Sequence, residues 1–347
     1  MKLNKFVSLL SLGSAIAPIA LAVSCSVPES AKQNNDLAKK VVDLEATNKK
    51  LTNDLSTSNQ YIKNVTLDSS TNTTVLTNDK SMQKVAELIA LKKQLKQNNP
   101  NITKNELISK ISEALLGTKY VANRLIGDAN NPEVLVADIV DLDCFTYFDY
   151  VNAILNARDW NTFIEALKNT RYVNGQVSYS NRRHFFTDWA YSPVKIAQDL
   201  LTKDLLGDDY NNIVVEHTFN KNGKDVKGKL EPVLKTVPIE KRTIKYLKAS
   251  ALSDQLLAKY FKDGDLIMLA AGASGGLNTW LDVTHCGYLI FKDGVAYYRN
   301  AKGTAKNPDA VRDIKLVDYI KDRNFDSKNN KPYDVAKVPG ILVYRTL

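Results

Sequence analysis

The sequence predicts an α+β fold, with helices first and an antiparallel sheet last. Three observations carry this expectation. Apolar residues recur at helical spacing between 81 and 167, as in Val85, Leu88, Ile89, Leu91 and Leu95, and again in Phe145, Phe148, Val151 and Leu155. Short β-rich runs then take over at 265–271, 283–291, 295–299 and 340–345, and Lys292-Asp293-Gly294 is a turn signal between two of them. The chain has 347 residues, 44% of them hydrophobic and 24% charged, enough for a packed core in one or two domains.

The chain begins with a targeting signal. Lys2 and Lys5 form a charged start, residues 6–22 an apolar stretch, and Ala22-Val23-Ser24-Cys25 a small-residue cleavage site that ends in cysteine. The apolar run is short for a membrane span. This anatomy resembles a bacterial lipoprotein signal, in which the cysteine is lipidated and becomes the mature N-terminus. An ordinary secretory signal, or a membrane anchor, is the alternative. On the lipoprotein reading residues 1–24 are removed, Cys25 is an anchor rather than a catalytic thiol, and the protein sits on the outer face of the cell membrane. Net charge is +9, and losing Lys2 and Lys5 with the leader leaves +7. That excess suits an anionic membrane surface or an anionic substrate. There is no Arg-rich run, zinc spacing or aromatic-basic stacking motif, so nucleic acid is not an expected partner. Three cysteines in this length do not make a disulfide scaffold.

Residues 25–80 read as a tether, a short helical or coiled-coil stalk, and a linker. Residues 26–35 are polar. Leu37, Leu44 and Leu51 then share one heptad position, with Val41, Asn48, Leu55 and Ile62 on its partner. So few heptads favour a solvated helical spacer over weak oligomerisation through residues 37–65. Residues 66–80 are rich in Ser, Thr, Asn and Asp and read as linker. The folded domain is therefore expected over 81–347.

Within it, a helix over 81–97 is ended by Asn98-Asn99-Pro100. A second helix starts at Thr103, with Glu106 completing a capping box, and stops at Gly117. Residues 118–122 and 134–140 read as extended and lead into Asp141-Leu142-Asp143-Cys144. From Cys144 the pattern is helical, and Asp141 or Asp143 can cap it. Helix-end N–H groups favour a thiolate there, while an Asp143 carboxylate opposes it, so the net effect depends on where Asp143 points. A helix over 160–167 follows. The cluster Asn181 to Trp189 then packs Arg182, Arg183, His184, three aromatics and Asp188 into nine residues. It reads either as a capping loop packed by its aromatics or as a groove in which Arg and His bind anionic or amide groups and Trp stacks on substrate. Residues 205–240 show short strand patterns around an Asn222-Gly223 turn, with His217 a surface or structural side chain; 241–261 reads as helix.

A thiol nucleophile needs an imidazole to take its proton, and the imidazole needs an orienting group. His285 lies in a strand, where neighbours face opposite ways, so Cys286 reads as buried filling. That leaves Cys144 as the candidate thiol. Asn300, on the next strand, is placed to orient His285. Read alone, such a trio is also compatible with cysteines that are merely small buried hydrophobes. The histidines and cysteines lack ligand spacing, so no metal is expected, and no cofactor either.

Six blocks nonetheless fall together in order: Gly117-Thr118-Lys119-Tyr120-Val121-Ala122, Leu142 to Tyr147, Arg171-Tyr172 with Gly175, Arg182 to Trp189, Asp263 to Ile267, and Leu281-Asp282-Val283-Thr284-His285-Cys286-Gly287. From about residue 105 onward they resemble the N-acetylmuramoyl-L-alanine amidase-like family, relatives of the NlpC-type cysteine peptidases. The resemblance implies a papain-like α+β fold with the nucleophile helix packed on the sheet. It implies Cys144 as nucleophile, His285 as base and Tyr120 as an oxyanion helper, with Asn300 where many members carry His. It also puts Arg182, His184, Asp188 and Trp189 in the substrate cleft. The chain departs from the family at Phe145, where threonine is common, and in lacking a clear glutamate near 126–128. These departures bear on substrate more than on thiol chemistry. The implied activity is that of a surface lipoprotein amidase acting on muropeptides. A binding or adhesion lipoprotein on the same scaffold is the alternative, and a peptidase or acyltransferase would use the same pair. The Lys- and Asn-rich composition and the leader also resemble those of wall-less bacteria, in which the substrate would be another organism's peptidoglycan fragments or something else.

Overall fold

Strand alternation and helix caps set most of the architecture, which we describe from a computed structural model. It covers residues 65–68 and 73–347, apart from 274–275, 278–279 and 305–306. The expected signal peptide, Cys25 and the heptads of 37–62 lie outside the described residues. Four main helices lead: α1 (Asp79–Asn98), α2 (Lys104–Glu113), α3 (Cys144–Asn156) and α4 (Trp160–Arg171). The strands used below are β1 (Val65–Asp68), β2 (Thr73–Leu76), β3 (Lys119–Tyr120), β4 (Leu135–Val136), β5 (Asp141–Leu142), β6 (Ala197–Asp199) and β7 (Val214–Lys221). They continue with β8 (Glu240–Lys248), β9 (Leu266–Ala270), β10 (Val283–Lys292), β11 (Val295–Thr304), β12 (Asn307–Lys315) and β13 (Gly340–Thr346).

The main sheet has ten strands, ordered β5-β3-β12-β11-β10-β9-β13-β8-β7, with β6 on β13. It is mixed rather than wholly antiparallel, because β3 runs parallel to β5. Alternation sends Leu266, Met268, Tyr288 and Tyr344 to one face, where helices α1 to α4 cover them. Ile267, Leu269, Leu289 and Val343 face the other way, onto helices Asp254–Tyr260 and Leu316–Arg323. Covered on both faces, β9 is buried along its whole length, as its unbroken apolar run requires. Helix α3 lies on β10, with Tyr147 edge-on to Tyr288 at 5.5 Å. Each such aromatic contributes roughly 1.5–3 kcal/mol by leaving water.

The structure corrects three expectations. Residues 66–80 are not simply linker: β1 pairs β2, and β2 runs parallel to β4 through Val75↔Leu135 and Leu76↔Val136. Polar Ser, Thr and Asn disguise the strand there, although its neighbours Val75 and Leu76 are both buried. Helix was expected over 241–261, yet β8 occupies its first half and only Asp254–Tyr260 is helical. Lys241 and Thr243 face solvent while Arg242, Ile244 and Tyr246 are buried, a period of two that a Lys-rich outer face disguises as helix. Asn222-Gly223 is not a hairpin tip, since β7 pairs with β8 and a separate small hairpin, Gly223–Val226 with Lys229–Pro232, follows it. Among the described residues no helix is long and apolar enough to cross a membrane.

Candidate active site

The site begins with a capping box. Asp143 Oδ1 accepts from Thr146 N at 2.8 Å, and Thr146 Oγ1 accepts from Asp143 N at 2.9 Å. This makes Cys144 the first residue of α3, among N–H groups no carbonyl of the helix can satisfy. It also settles the direction of Asp143. Its carboxylate is engaged by the cap, and burial, followed by the Cys144 charge, pushes its own proton affinity up. The Tyr120↔Leu142 register between β3 and β5 brings Tyr120 alongside. Burial and then the nearby charges of Cys144, Asp143 and Asp309 raise Tyr120, so its hydroxyl stays a neutral donor.

The imidazole comes from β10. Tight Asp293-Gly294, with φ of 50° and 79°, joins β10 to β11. Tyr288 pairs with Arg299, so Asn300 lies one pair further, beside Gly287 and diagonal to His285. A Cβ on Gly287 would stand 2.4 Å from the Arg299 carbonyl and 2.8 Å from Asn300 Cβ, so only glycine lets β11 approach here. Buried Asn300 donates from Nδ2 to the Tyr298 carbonyl at 3.0 Å, which fixes its amide. Its Oδ1 therefore accepts from His285 Nε2 at 2.9 Å. The carbonyl partner makes Nε2 the protonated nitrogen and leaves Nδ1 for the thiol.

Cys144 is held well below the ordinary thiol range. A hydrogen bond from Cys286 is the largest cause, burial opposes it, and the charge and hydrogen bond of His285 add to the lowering. Cys286 is buried in the core, as expected, but it is more than filling. Its Sγ donates to the Cys144 carbonyl at 3.0 Å. Pairing with β9 is regular here, Met268 with Cys286 and Leu269 with His285, and a bulge follows at Thr284, where Ala270 pairs with Val283. Because the thiolate persists below the usual thiol value, iodoacetamide should modify Cys144 with a pH midpoint below the roughly 8.5 of a free thiol. A midpoint at or above that value would contradict this electrostatic account.

His285 and Tyr120 open onto a cleft of about 190 Å³, also lined by Thr284, Lys302, Tyr319 and Arg323. Nothing in the sequence singled out Lys302, Tyr319 or Arg323. Two larger cavities, of about 370 and 710 Å³, gather around Asn156 and Arg158 at the other end of α3, roughly 18 Å from Cys144 at helical rise.

The Arg182–Trp189 block behaves differently from its expected substrate role. Trp189 is fully buried, stacked on Phe148 with ring centroids 3.9 Å apart, so it cannot stack on a ligand. Phe145 packs on Trp189 at 5.0 Å and Phe186 at 5.1 Å. Asp188 is buried and bonded to Arg242 at 2.8 Å and Lys221 at 3.1 Å. Arg182 binds Glu133 at 2.6 Å and the Gly127 carbonyl at 2.7 Å, and Glu133 also accepts from Tyr172 at 2.7 Å. His184 Nε2 meets the Tyr179 carbonyl at 2.7 Å, and burial pushes the ring's pKa down to about 4. Structural partners thus occupy all four residues. The structure brings Cys144, His285, Asn300 and Tyr120 together, while Arg182, His184, Asp188 and Trp189 are engaged by partners of their own. Among the described residues no group of three or more His, Cys, Asp or Glu side chains could hold a metal ion.

Comparison with known proteins supplies the rest. The profile of the AmiA-like family, described as N-acetylmuramoyl-L-alanine amidase-like, matches residues 110–325. A crystal structure of a Legionella pneumophila protein aligns with a TM-score of 0.55 at 21% identity, covering 78% of this chain and 97% of its own. An N-acetylmuramoyl-L-alanine amidase from Bacteroides uniformis aligns with a TM-score of 0.52 at 22% identity, covering 69% and 97%. At such identities these two share the fold. No curated protein sequence matches.

Proposed function

The chain belongs to the N-acetylmuramoyl-L-alanine amidase-like family, and from this we propose that it is a cysteine amidase cleaving the bond between N-acetylmuramic acid and L-alanine in muropeptides. The observation that carries the reading is the 2.9 Å contact of His285 Nε2 with Asn300 Oδ1, which leaves Nδ1 for the thiol. In this reading the Cys144 thiolate adds to the amide carbonyl, and helix N–H groups with the Tyr120 hydroxyl receive the oxyanion. The C–N bond breaks as His285 Nδ1–H gives its proton to the leaving L-alanyl amine. Water then adds to the thioester, giving a proton to His285, and the muramic carboxylic acid and the thiol are released. The scheme follows the NlpC-type, papain-like pattern and calls on no metal or cofactor.

Two cations in the cleft, Lys302 and Arg323, suit a substrate bearing carboxylates. The leader, with Cys25 as lipid anchor, puts the enzyme on the outer face of the cell membrane. If the host builds no murein, its substrate is another organism's peptidoglycan fragments. Muropeptide incubated with the protein should give a peptide with a free N-terminal L-alanine amine and a free muramic carboxyl, identified by mass spectrometry. Cleavage at a different amide would reassign the substrate bond. Absence of any cleavage, with Cys144 labelled rapidly, would favour a binding role on this scaffold.

A further inference from the structure

The cleft beside His285 holds two cations whose placement says which half of the substrate they meet. Lys302 follows Asn300 by two residues on β11, so strand alternation puts both on one face. Tyr319 and Arg323 are four residues apart on helix Leu316–Arg323 and share one side of it. All three of Lys302, Tyr319 and Arg323 line the cleft with His285, and among the described residues no Asp or Glu does. Asp143 and Asp309 are near enough for Tyr120 to feel their charge, but neither reaches the lining. Lys302 is held in place. Its ammonium donates to the Tyr319 hydroxyl and stands 4.5 Å from the centroid of that ring. Tyr319 packs on Tyr298 at 5.9 Å, and Tyr298 meets the His285 ring edge-on at 5.8 Å. A row of rings thus fixes the cation relative to the imidazole. Because the Tyr319 oxygen accepts from Lys302, its own O–H is left to donate. Among the described residues neither Lys302 nor Arg323 has a carboxylate partner.

The direction of the reaction supplies the rest. His285 Nδ1–H protonates the leaving amine, so the amine half of the substrate lies against the imidazole and along the cleft that the imidazole lines. The acyl half stays with Cys144, which does not line that cleft. In a muropeptide the muramic carboxyl is consumed in the scissile amide, so the peptide's free carboxylates all fall in the amine half. At strand rise Lys302 lies about 7 Å beyond Asn300. A carboxylate that meets it belongs to the residue after the one bearing the new amine. We propose that Lys302 and Arg323, with the Tyr319 hydroxyl, form a carboxylate subsite for the amine half of the substrate, and that the enzyme selects amides whose leaving peptide carries a free carboxylate on its second residue. Arg323 offers a planar fork of donors and Lys302 a fixed point charge. This deepens the amidase reading and rests on it.

The full chain is given N-acetylmuramoyl-L-alanyl-D-glutamate and its diamide, which has nearly the same shape and no carboxylate. In the wild type kcat/KM should be at least about tenfold higher for the acid, mainly through KM. Replacing both cations, Lys302→Met with Arg323→Met, should bring the ratio of acid to diamide to about one, and Lys302→Arg should preserve it. The ratio is the readout because a general loss of active protein lowers both rates alike. Should the double variant not fold, Lys302→Gln and Arg323→Gln are read singly, and each should lose part of the preference. Equal cleavage of acid and diamide by the wild type overturns the proposal, as does a variant lacking the cations that keeps the wild-type ratio. Cleavage of neither compound counts against the assigned bond instead. The subsite is then read by calorimetry with L-alanyl-D-glutamate, the amine half alone, and its diamide. Tighter binding of the acid, lost with the two cations, upholds the subsite; equal or undetectable binding overturns it.

Discussion

Replacing Cys144 with alanine is expected to lower muropeptide hydrolysis by at least about a thousandfold, and His285→Ala should do nearly the same. The two act as a unit, so the double variant should be hardly worse than either single one. This follows from the geometry. Without the imidazole the thiolate loses one of its stabilising partners, and the leaving amine has no proton donor at Nδ1. Asn300→Ala should be milder, with a loss of about a hundredfold, because it frees the imidazole to turn without removing it. The mildness is diagnostic. Asn300 donates to the Tyr298 carbonyl and accepts from His285, so its work is orientation. Product release measured on defined muropeptides checks all three. Cys144→Ala retaining activity within tenfold of wild type would remove thiol catalysis from consideration. Asn300→Ala as damaging as His285→Ala would mean that Asn300 does more than orient.

The parts of this site that could be read in the sequence are those fixed by local rules. The Thr103–Glu106 box, the Asp143 cap and the Asp293-Gly294 turn each depend on residues within three or four positions, and each forms as its chemistry dictates. The turn sets the register of β10 on β11, which places Asn300 diagonally across from His285. What escaped depends on non-local packing. The contact of Cys286 Sγ with the Cys144 carbonyl joins residues 142 positions apart. Trp189 and Asp188 carry the composition of a binding groove, but their partners Phe148, Lys221 and Arg242 are 33 or more residues away in sequence. Only the fold reveals that those partners are already in place. The alternation of β8 was hidden by lysines on its solvent side, and β2 by threonines whose strand needed β4 beside it. In β8 a one-sided burial pattern was present but weak against the polar background, and in β2 the buried pair Val75-Leu76 is too short a signal by itself.

The largest effect on stability should come from Arg171, which lies beneath the nucleophile helix. It is fully buried at the end of α4, donating to Asp149 Oδ2 of α3 at 2.7 Å and to the Val136 carbonyl of β4 at 2.6 Å. Its guanidinium also lies over Tyr150, 5.6 Å from the ring centroid. One side chain thus ties α4, α3 and β4 together. Burial works against its charge, and the Asp149 carboxylate more than offsets this, so Arg171 remains a cation. Burial pushes Asp149 up to about 6 even with that cation beside it. Arg171→Met keeps the volume and removes the counter-charge. The expected loss is about 3–5 kcal/mol at neutral pH, because Asp149 is left buried with no ionic partner. A carboxyl whose folded pKa lies above its unfolded value contributes stability that is complete below the unfolded pKa and lost as pH rises through the folded one. The variant should therefore be hurt less at about pH 5 than at about pH 8, where its Asp149 must either carry an unpaired charge or hold a proton against the solvent. Asp149→Asn in the same chain should recover much of the loss at pH 8 and little at pH 5. Urea unfolding of the three proteins at both values checks this. A penalty independent of pH would assign the cost to lost packing around Val136 and Tyr150 instead. Because Asp149 lies on α3 five residues beyond Cys144, the variant's surviving folded fraction should also show slower alkylation of that thiol, which links the buried ion pair to the chemistry at the helix end.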